Sequence, residues 1–288
     1  LFFANTTNQP NTVFSSKSGD FENFAANDVS TGAVSDDSAL IFTLSTDQVN
    51  AIRWMYGAKQ LEIGTSDGPF FMSSGSDNLA LTPTNVTVNR ESTDGVAAQK
   101  PVGAGKFTIY TDSNKRRIRE LGYKLETDGF VTSDLTLLAE HITGGSTIKS
   151  LAYARSPNNI IWMLLADGTL RGMTYERDQN VVALHRHTLG GTNVSIKSIA
   201  TIPNQTETEN QLYLIVSRTI NGATKHYVEF LEEVFDTNEG KTASDAFFVD
   251  SGLTYTGGAA STISGLSHLE GQTVKVLADG ATHPDVAV

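Results

Sequence analysis

The chain has 288 residues and no cysteine, and its 32 acidic and 21 basic residues give a formal net charge of -11. The lack of thiols excludes disulfides, zinc–thiolate sites and thiol catalysis, and it favours an intracellular assembly over a small secreted scaffold. The acidity argues against a surface that grips nucleic acid, because such a surface needs a basic stripe to displace counterions.

A tripeptide that opens a predicted strand returns at a fixed interval along the chain. Ile148-Lys149-Ser150 recurs as Ile196-Lys197-Ser198, which lies 48 residues later (196 - 148). Ile52-Arg53-Trp54 lies 96 residues before Ile148 (148 - 52), which is twice that interval. A repeat of this length indicates a ring or stack of similar units instead of one unique core.

In chain order, residues 1–4 form the first predicted strand, and four copies of one unit follow. The predicted strands are 52–54, 61–64 and 69–72; then 99–102, 107–110 and 117–123; then 148–153, 160–165, 170–176 and 181–187; and then 196–202, 212–216 and 225–231. Tight turns are expected at Asp67-Gly68, Ser113-Asn114, Asp167-Gly168 and Asn221-Gly222. Asn-Gly and Asp-Gly favour two-residue hairpin loops because both central residues take a positive φ.

The apolar residues of these strands recur with a period of two. Phe107 and Ile109 alternate with Thr108 and Tyr110, as in half-buried strands, whereas 160–165 and 212–216 are apolar throughout, which suits strands covered on both faces. Units of this length with four short strands are typical of propeller blades. We therefore predict an all-β fold of β-propeller-like blades of about 48 residues, with strand aromatics in the core. These aromatics are Trp54, Tyr56, Trp162, Tyr175 and Tyr213.

The C-terminal part departs from the blade rhythm at about Ala246. Short strands are predicted at 247–249, 252–255, 262–264 and 273–277, with turns at Gly257-Gly258 and Asp279-Gly280. We predict a propeller-like platform over residues 1–245, incomplete at its N-terminus, and the start of a small β-sandwich-like domain over 246–288. Both chain ends lie in apolar stretches, so we expect a fragment of a longer protein. No apolar stretch approaches the roughly 20 residues that span a bilayer.

Candidate catalytic groups are few, and each has a structural explanation. His185 and His187 share one face of a predicted strand and are the best pair for a metal, with His141 and His226 as distant third ligands, but Arg186 lies between them. No Gly-x-Ser-x-Gly elbow occurs, and residues 73–76 are a loop. Glycosidase-type carboxylates would come from the ends of inner strands. The candidates there are Asp67, Asp128, Asp134 and Asp167, of which the first and last lie in turns that explain them. We predict no enzyme activity, cofactor or metal.

One basic cluster stands out in this acidic chain. Lys115, Arg116, Arg117 and Arg119 lie beside a predicted turn, where solvated charges discourage strand pairing at a blade edge. Contact with a phosphate or an acidic partner is the alternative. The glycine pairs at 144–145 and 190–191 precede strands instead of helices, so they are interpreted as linkers between blades and not as a phosphate cradle.

A series of stretches occurs in a characteristic order along the chain: 51–54, 61–65, 81–86, 117–121, 134–142, 167–170, 174–177, 218–222 and 247–255. This series resembles the tail nozzle proteins of short-tailed phages. The similarity covers most of the chain from about residue 40 to residue 280 and is loose in the first 40 residues.

The resemblance implies a structural virion protein, also called a tail tubular or stabilisation protein, with a propeller-like platform. It implies a hexameric ring of identical subunits below the portal, in contact with the tail adaptor and with fibre or spike proteins. Such a tube retains the packaged DNA and later conducts it without specific binding. The expected location is the virion tail, assembled in the host cytoplasm.

Two other classes of protein stay open at this point. A propeller that binds glycans or cleaves glycosides would carry convergent carboxylates in an axial pocket. A monomeric propeller that serves as an interaction scaffold would differ from the tube in particle size.

Overall fold

The structure, a computed structural model, describes residues 1–46, 50–76, 79–232, 235, 240–242, 246 and 248–288. Its regular secondary structure is almost entirely antiparallel β-sheet, so the predicted all-β class is confirmed. Two compact units divide the chain, Leu1–Leu151 and Ala152–Val288. The predicted boundary after residue 245 falls at a stretch in which 243–245 and 247 lie outside the described residues, and it stays a prediction.

The first unit contains three antiparallel meanders. The strands β1 (Phe2–Ala4), β2 (Thr12–Ser15) and β3 (Ile41–Thr43) form the first sheet. The second sheet contains β4 (Ile52–Gly57), β5 (Leu61–Thr65), β6 (Gly68–Ser73) and β7 (Thr87–Arg90), and the third contains β8 (Val102–Ala104), β9 (Phe107–Thr111), β10 (Ile118–Lys124) and β11 (Gly129–Asp134). Short 3-10 turns at Leu125–Thr127 and Leu137–Ala139 and the one-turn helix α1 (Glu140–Thr143) follow.

The second unit continues the same pattern. The strands β12 (Ile148–Ala154), which starts in the first unit, β13 (Ile160–Leu165), β14 (Leu170–Glu176) and β15 (Val181–His187) form a four-stranded meander, with a 3-10 turn at Arg177–Gln179. β16 (Ser195–Pro203), β17 (Asn210–Ile220) and β18 (Ala223–Phe230) form a three-stranded one. After the 3-10 turn Ser267–Leu269 come two small ladders, β19 (Thr273–Val274) with β22 (Val286–Ala287), and β20 (Leu277–Ala278) with β21 (Ala281–Thr282).

The blade rhythm of the sequence is present in the strand positions. The first strands of successive blades begin at Ile52, Val102, Ile148 and Ser195, which are steps of 50, 46 and 47 residues. β13, β14 and β15 match their predicted ranges, whereas the strand predicted at 99–102 lies at Val102–Ala104. The strands predicted at 252–255 and 262–264 are wrong. Those residues are exposed, and none of the described strands pairs with them, so they gain no ladder hydrogen bonds.

Two of the predicted hairpin loops have the expected backbone. Asn221 and Gly222 have φ of 46° and 75°, and Asp279 and Gly280 have 53° and 76°. At Asp67-Gly68 and Asp167-Gly168 only the glycine has a positive φ. The prediction that both residues of each turn have a positive φ is therefore wrong there. At the predicted Ser113-Asn114 turn the positive φ of 62° belongs to Lys115.

Apolar seams hold neighbouring sheets together within each unit. In the first unit, one seam joins β1–β3 to β4–β7 and a second joins β4–β7 to β8–β11. The buried residues of the first seam are Val13, Leu40, Leu44, Ile52, Ile63, Phe70 and Met72, and those of the second are Trp54, Phe71, Val96, Tyr110 and Leu121. In the second unit, β12–β14 pack on β16–β17 through Ala152, Ala154, Trp162, Leu164, Leu170, Ile196, Leu212, Leu214 and Val216. Burying such faces is the main favourable contribution to folding.

One backbone hydrogen bond recurs near the start of successive blades. At or shortly before the first strand, an N–H donates to a carbonyl in or next to a hairpin turn of the preceding sheet. The pairs are Ile52 to Pro10, Val96 to Thr65, Ile148 to Lys115 and Ile196 to Gly168, at 2.7 to 2.9 Å. The isoleucines that the repeat aligns in the sequence therefore hold equivalent positions. No helix in the described part of the chain has the length and apolarity to cross a bilayer.

Candidate assembly faces

The sheet β1–β3 has one buried face and one open apolar face. Cross-strand pairing places Phe3, Phe14 and Ile41 on the same side, opposite to the buried Val13. Phe3 and Ile41 are each 52% exposed, and Phe3 contacts the ring of Phe24 at 5.6 Å between centroids. We call the side formed by Phe3, Phe14 and Ile41 the N-face.

The sheet β16–β18 has the same two-sided character at the other end of the blade series. Leu212, Leu214 and Val216 point into the buried seam, so the alternate residues of β17 point away from it. Cross-strand pairs join Tyr213 to Phe230 and Ile215 to Val228 on this outer side. The resulting C-face consists of Ile202, Tyr213, Ile215, Val228 and Phe230, and Val228 is 74% exposed.

The C-face corrects one prediction from the sequence. The sequence predicts that residues 212–216 are covered on both sides, but Ile215 is 43% exposed. By contrast, the prediction for 160–165 holds for 161–165, which are all buried, whereas Ile160 is half-buried. Apolar residues on both faces of a strand are typical of a strand covered on both sides, and β17 has this composition with one partly exposed face.

The outer edge of the same sheet is also open in the described part of the chain. β7, β11 and β15 each occupy the fourth position of their blades, whereas β18 is the last strand of its sheet. An edge strand presents unpaired N–H and C=O groups that accept another strand. The C-face and this edge therefore belong to the same sheet and adjoin one another.

The histidines singled out in the sequence form a close pair. Nδ1 of His185 lies 2.7 Å from Nε2 of His187, and both rings stand edge-on to Trp162. Burial lowers the pKa of both imidazoles, and for His187 the neighbouring His185 and Arg171 lower it further. Among the described residues no group of three or more His, Asp or Glu side chains lies close enough together to hold a metal ion.

The four candidate carboxylates are each engaged locally. Asp67 pairs with Arg90 at 2.8 Å, and Asp128 accepts a hydrogen bond from the Tyr123 hydroxyl at 2.6 Å. Asp134 accepts hydrogen bonds from Thr136 at 2.8 and 2.7 Å, and Asp167 accepts from the N–H and hydroxyl of Thr169 at 3.0 and 2.6 Å. These contacts stabilise turns and strand ends.

The basic cluster divides into two pairs. Arg117 lies 3.3 Å from Asp134 and 2.7 Å from Glu140, and Arg119 lies 3.0 Å from Asp94. These two arginines are therefore ion-paired and not simply solvated as predicted. Lys115 and Arg116 are exposed on the β9–β10 turn.

The strand aromatics were predicted to lie in the core. This holds for Trp54, Trp162 and Tyr175, which are buried, whereas Tyr56 and Tyr213 are half-buried.

The comparisons with known proteins identify no family for this chain. No family model and no curated protein matches the sequence. Among solved structures, an auxiliary nutrient binding protein from Bacteroides ovatus ATCC 8483 is 10% identical with a TM-score of 0.39, over 78% of this chain and 56% of that one. A luciferin-regenerating enzyme is 13% identical with a TM-score of 0.29, over 74% of this chain and 78% of that one. The chain thus spans little more than half of the nutrient binding protein.

Proposed function

We propose that this chain is part of a structural subunit of a short-tailed phage tail tube, the nozzle, through which DNA is retained and ejected. The observation that carries the proposal is the pair of open apolar faces, the N-face in one unit and the C-face in the other. Isolated apolar side chains on a surface are normal, but aligned cross-strand sets of them indicate an interaction surface.

The two faces support a head-to-tail assembly. They belong to different sheets with different residues, so contact between the N-face of one copy and the C-face of the next is heterologous. Heterologous contacts close into a ring when the rotation per subunit permits. At each seam inside a unit, one blade covers the apolar face of another. A contact between the N-face and the C-face of two copies would bury apolar side chains in the same way. The sequence resemblance adds the expectation of six subunits, with adaptor and fibre or spike proteins as neighbours.

The acidity of the chain agrees with a passive conduit. A net charge of -11 repels phosphates along the path of the DNA, so the genome would pass without adhering. The proposed role requires no catalysis. We expect no duplex DNA binding in the submicromolar range at low salt, and submicromolar affinity would contradict the passive conduit.

Assembly is tested by measuring particle mass in solution and by imaging the particles for rings. Phe3→Lys in the N-face and Val228→Lys in the C-face should each leave monomers. Mixing the two variants should give one heterodimer and nothing larger, because each variant retains one intact face. Leu138→Lys, at an exposed leucine outside both faces, is the matched control and should assemble as the wild type does.

Three results would overturn the proposal. If the wild type is a monomer at all concentrations, the faces do not join copies of this chain. If Phe3→Lys still forms dimers by itself, the C-face pairs with a second C-face. Turnover of a polysaccharide would favour the glycoside-cleaving alternative.

A further inference from the structure

A cavity of about 160 Å³ opens in the first unit where four backbone segments meet. Its polar lining consists of Arg53, Ser66, Ser113 and Lys115, and its floor of residues 96–98. Ser66 comes from the β5–β6 turn, Ser113 and Lys115 come from the β9–β10 turn, and Arg53 follows the first residue of β4. Every one of these residues lies within Leu1–Leu151.

Backbone contacts fix the positions of these lining residues. The N–H of Ser66 donates to Ala51 at 3.3 Å, and the N–H of Ser113 donates to Gly95 at 2.9 Å. Gly95 lies so close to Ser66 that a Cβ there would stand 2.2 Å from the Ser66 carbonyl oxygen. The turns that present the side chains are thereby held against one another, and preorganised groups lose less entropy when a ligand binds.

The two cations of the cavity have no counter-ion among the described residues. Arg53 and Lys115 make no ion pair in the described part of the chain, whereas Arg90, Arg117 and Arg119 do. Of the acidic side chains in the adjoining turns, Asp67 pairs with Arg90, and Asp112 accepts a hydrogen bond from the backbone N–H of Arg117 at 3.3 Å. Within the part of the chain that the structure describes, the cavity thus presents two cations without an ion pair, in a protein of net charge -11.

From the juxtaposition of Arg53, Lys115, Ser66 and Ser113 we infer that this cavity binds a phosphate group. A guanidinium offers a planar fork of donors, an ammonium offers three more, and two hydroxyls complete a set that suits the several oxygens of phosphate. Two positive charges match the charge of a phosphate dianion. The site is independent of the N-face and the C-face, so it goes beyond the role proposed above.

Inorganic phosphate is the first probe, with the backbone amides of Ala97 and Ala98 followed by NMR at constant ionic strength against chloride. Saturable shifts with a dissociation constant on the order of 1 mM are expected for a small exposed anion site. Arg53→Gln and Lys115→Gln should each weaken binding roughly tenfold. Lys106→Gln is the matched control, because it removes the same charge at the exposed β8–β9 turn outside the cavity.

A short DNA duplex in a parallel titration identifies the source of the phosphate. If phosphate alone shifts Ala97 and Ala98, the ligand is a free phosphate or phosphomonoester. If the duplex shifts the same amides with submicromolar affinity, the source is the DNA backbone, and the passive conduit fails while the site stands. Absent or unsaturable shifts with both probes, or shifts that persist unchanged in both variants, would overturn the site and leave the proposed assembly untouched.

Discussion

Phe71 on β6 stacks on Phe130 on β11, with ring centroids 3.8 Å apart and ring planes inclined by 23°. The two strands belong to neighbouring sheets of the first unit, so this pair lies in the seam between blades. Phe71 is 3% exposed and also belongs to the cluster around Trp54 and Tyr110. The seam, and not the individual sheet, is thus where the apolar burial of a blade is completed.

Phe71→Ala should therefore destabilise the first unit by about 3 to 4 kcal/mol, since it removes a buried aromatic ring and leaves a cavity. Urea unfolding followed by hydrogen exchange of residues in β4–β11 measures the loss. Phe21→Ala, at a ring that is 65% exposed, is the control and should change stability by less than about 0.5 kcal/mol. Equal effects of the two substitutions would contradict the seam as the source of stability.

Glu62 pairs across the sheet with Phe71 in the seam, and its ionisation lowers the stability of the first unit as the pH rises. Its buried Oε2 has no hydrogen-bond partner among the described residues, and burial raises the pKa of the carboxyl from 4.5 to about 7. Because the folded state holds the proton more tightly than the unfolded chain, the stability from this group is full below pH 4.5 and is lost as the pH rises through about 7. The full difference amounts to about 3 kcal/mol.

In Glu62→Gln, the free energy of unfolding should fall less between pH 4.5 and pH 7 than it does in the wild type. Above pH 7 the variant should be more stable than the wild type. Urea midpoints of the first unit across this range measure the effect. Glu126→Gln, which removes one exposed carboxylate in the same unit, should keep the pH profile of the wild type. A profile of Glu62→Gln that parallels the wild type would show that this carboxyl is not the titrating group.

The regular part of the fold is predictable from the sequence because its signals are local. β13 and β14 are apolar segments separated by a turn with an Asx contact at Asp167, and they match the predicted ranges. β7 and β11 were missed because they are fourth strands, only half-buried, with the polar sequences Thr-Val-Asn-Arg and Gly-Phe-Val-Thr-Ser-Asp. Edge strands carry weak apolar alternation, so their positions depend on pairing with the third strand.

The candidate sites were harder to predict because they depend on contacts that are distant in sequence. Lys115 was noticed as part of a basic cluster, but nothing in the sequence places it beside Arg53. That proximity follows from the hydrogen bond of Val96 to Thr65 and from the bond of Ser113 to Gly95, which bring two turns together. Likewise, the apolar run of β17 predicts two covered faces, and only the exposure of Ile215 in the structure shows that one is open.

Arg218 on β17 forms a bidentate ion pair with Glu229 on β18. Its Nε and one terminal nitrogen lie 2.6 and 2.7 Å from the two carboxylate oxygens, and the other terminal nitrogen donates to the Gly190 carbonyl. The Arg218 side chain is buried, which by itself lowers the pKa of the guanidinium. The hydrogen bonds to Glu229 outweigh this and raise that pKa above its usual value, so the group stays charged.

Arg218→Ala should cost about 3 kcal/mol, because it leaves a partly buried carboxylate without its partner. The double variant Arg218→Met with Glu229→Leu should recover most of that loss, since no unpaired charge is left. Thermal and urea unfolding of the second unit provide the comparison. If the double variant is no more stable than Arg218→Ala, the loss arises from the contact to Gly190 and not from the orphaned charge.

The His185–His187 pair predicts a pH dependence of opposite sign in the second unit. Burial lowers the pKa of both imidazoles below the ordinary value of 6.5, so the unfolded chain binds protons more readily than the folded one. The stability from this pair is complete above pH 6.5 and is lost as the pH falls through the folded-state pKa. Protonation of both rings also breaks the 2.7 Å bond between them and sets two cations beside Arg171.

His187→Phe should keep the edge-on ring contact with Trp162 while removing one titrating group, and it should reduce the loss of stability on acidification. Trp162 fluorescence during urea unfolding, in a Trp54→Phe background, reports on the second unit because the chain has two tryptophans. His226→Gln, at an exposed histidine of β18, is the control and should leave the acid slope unchanged. If His187→Phe and the wild type lose stability in parallel below pH 6.5, the acid sensitivity of this unit comes from its carboxylates, and the imidazole pair is only a packing contact.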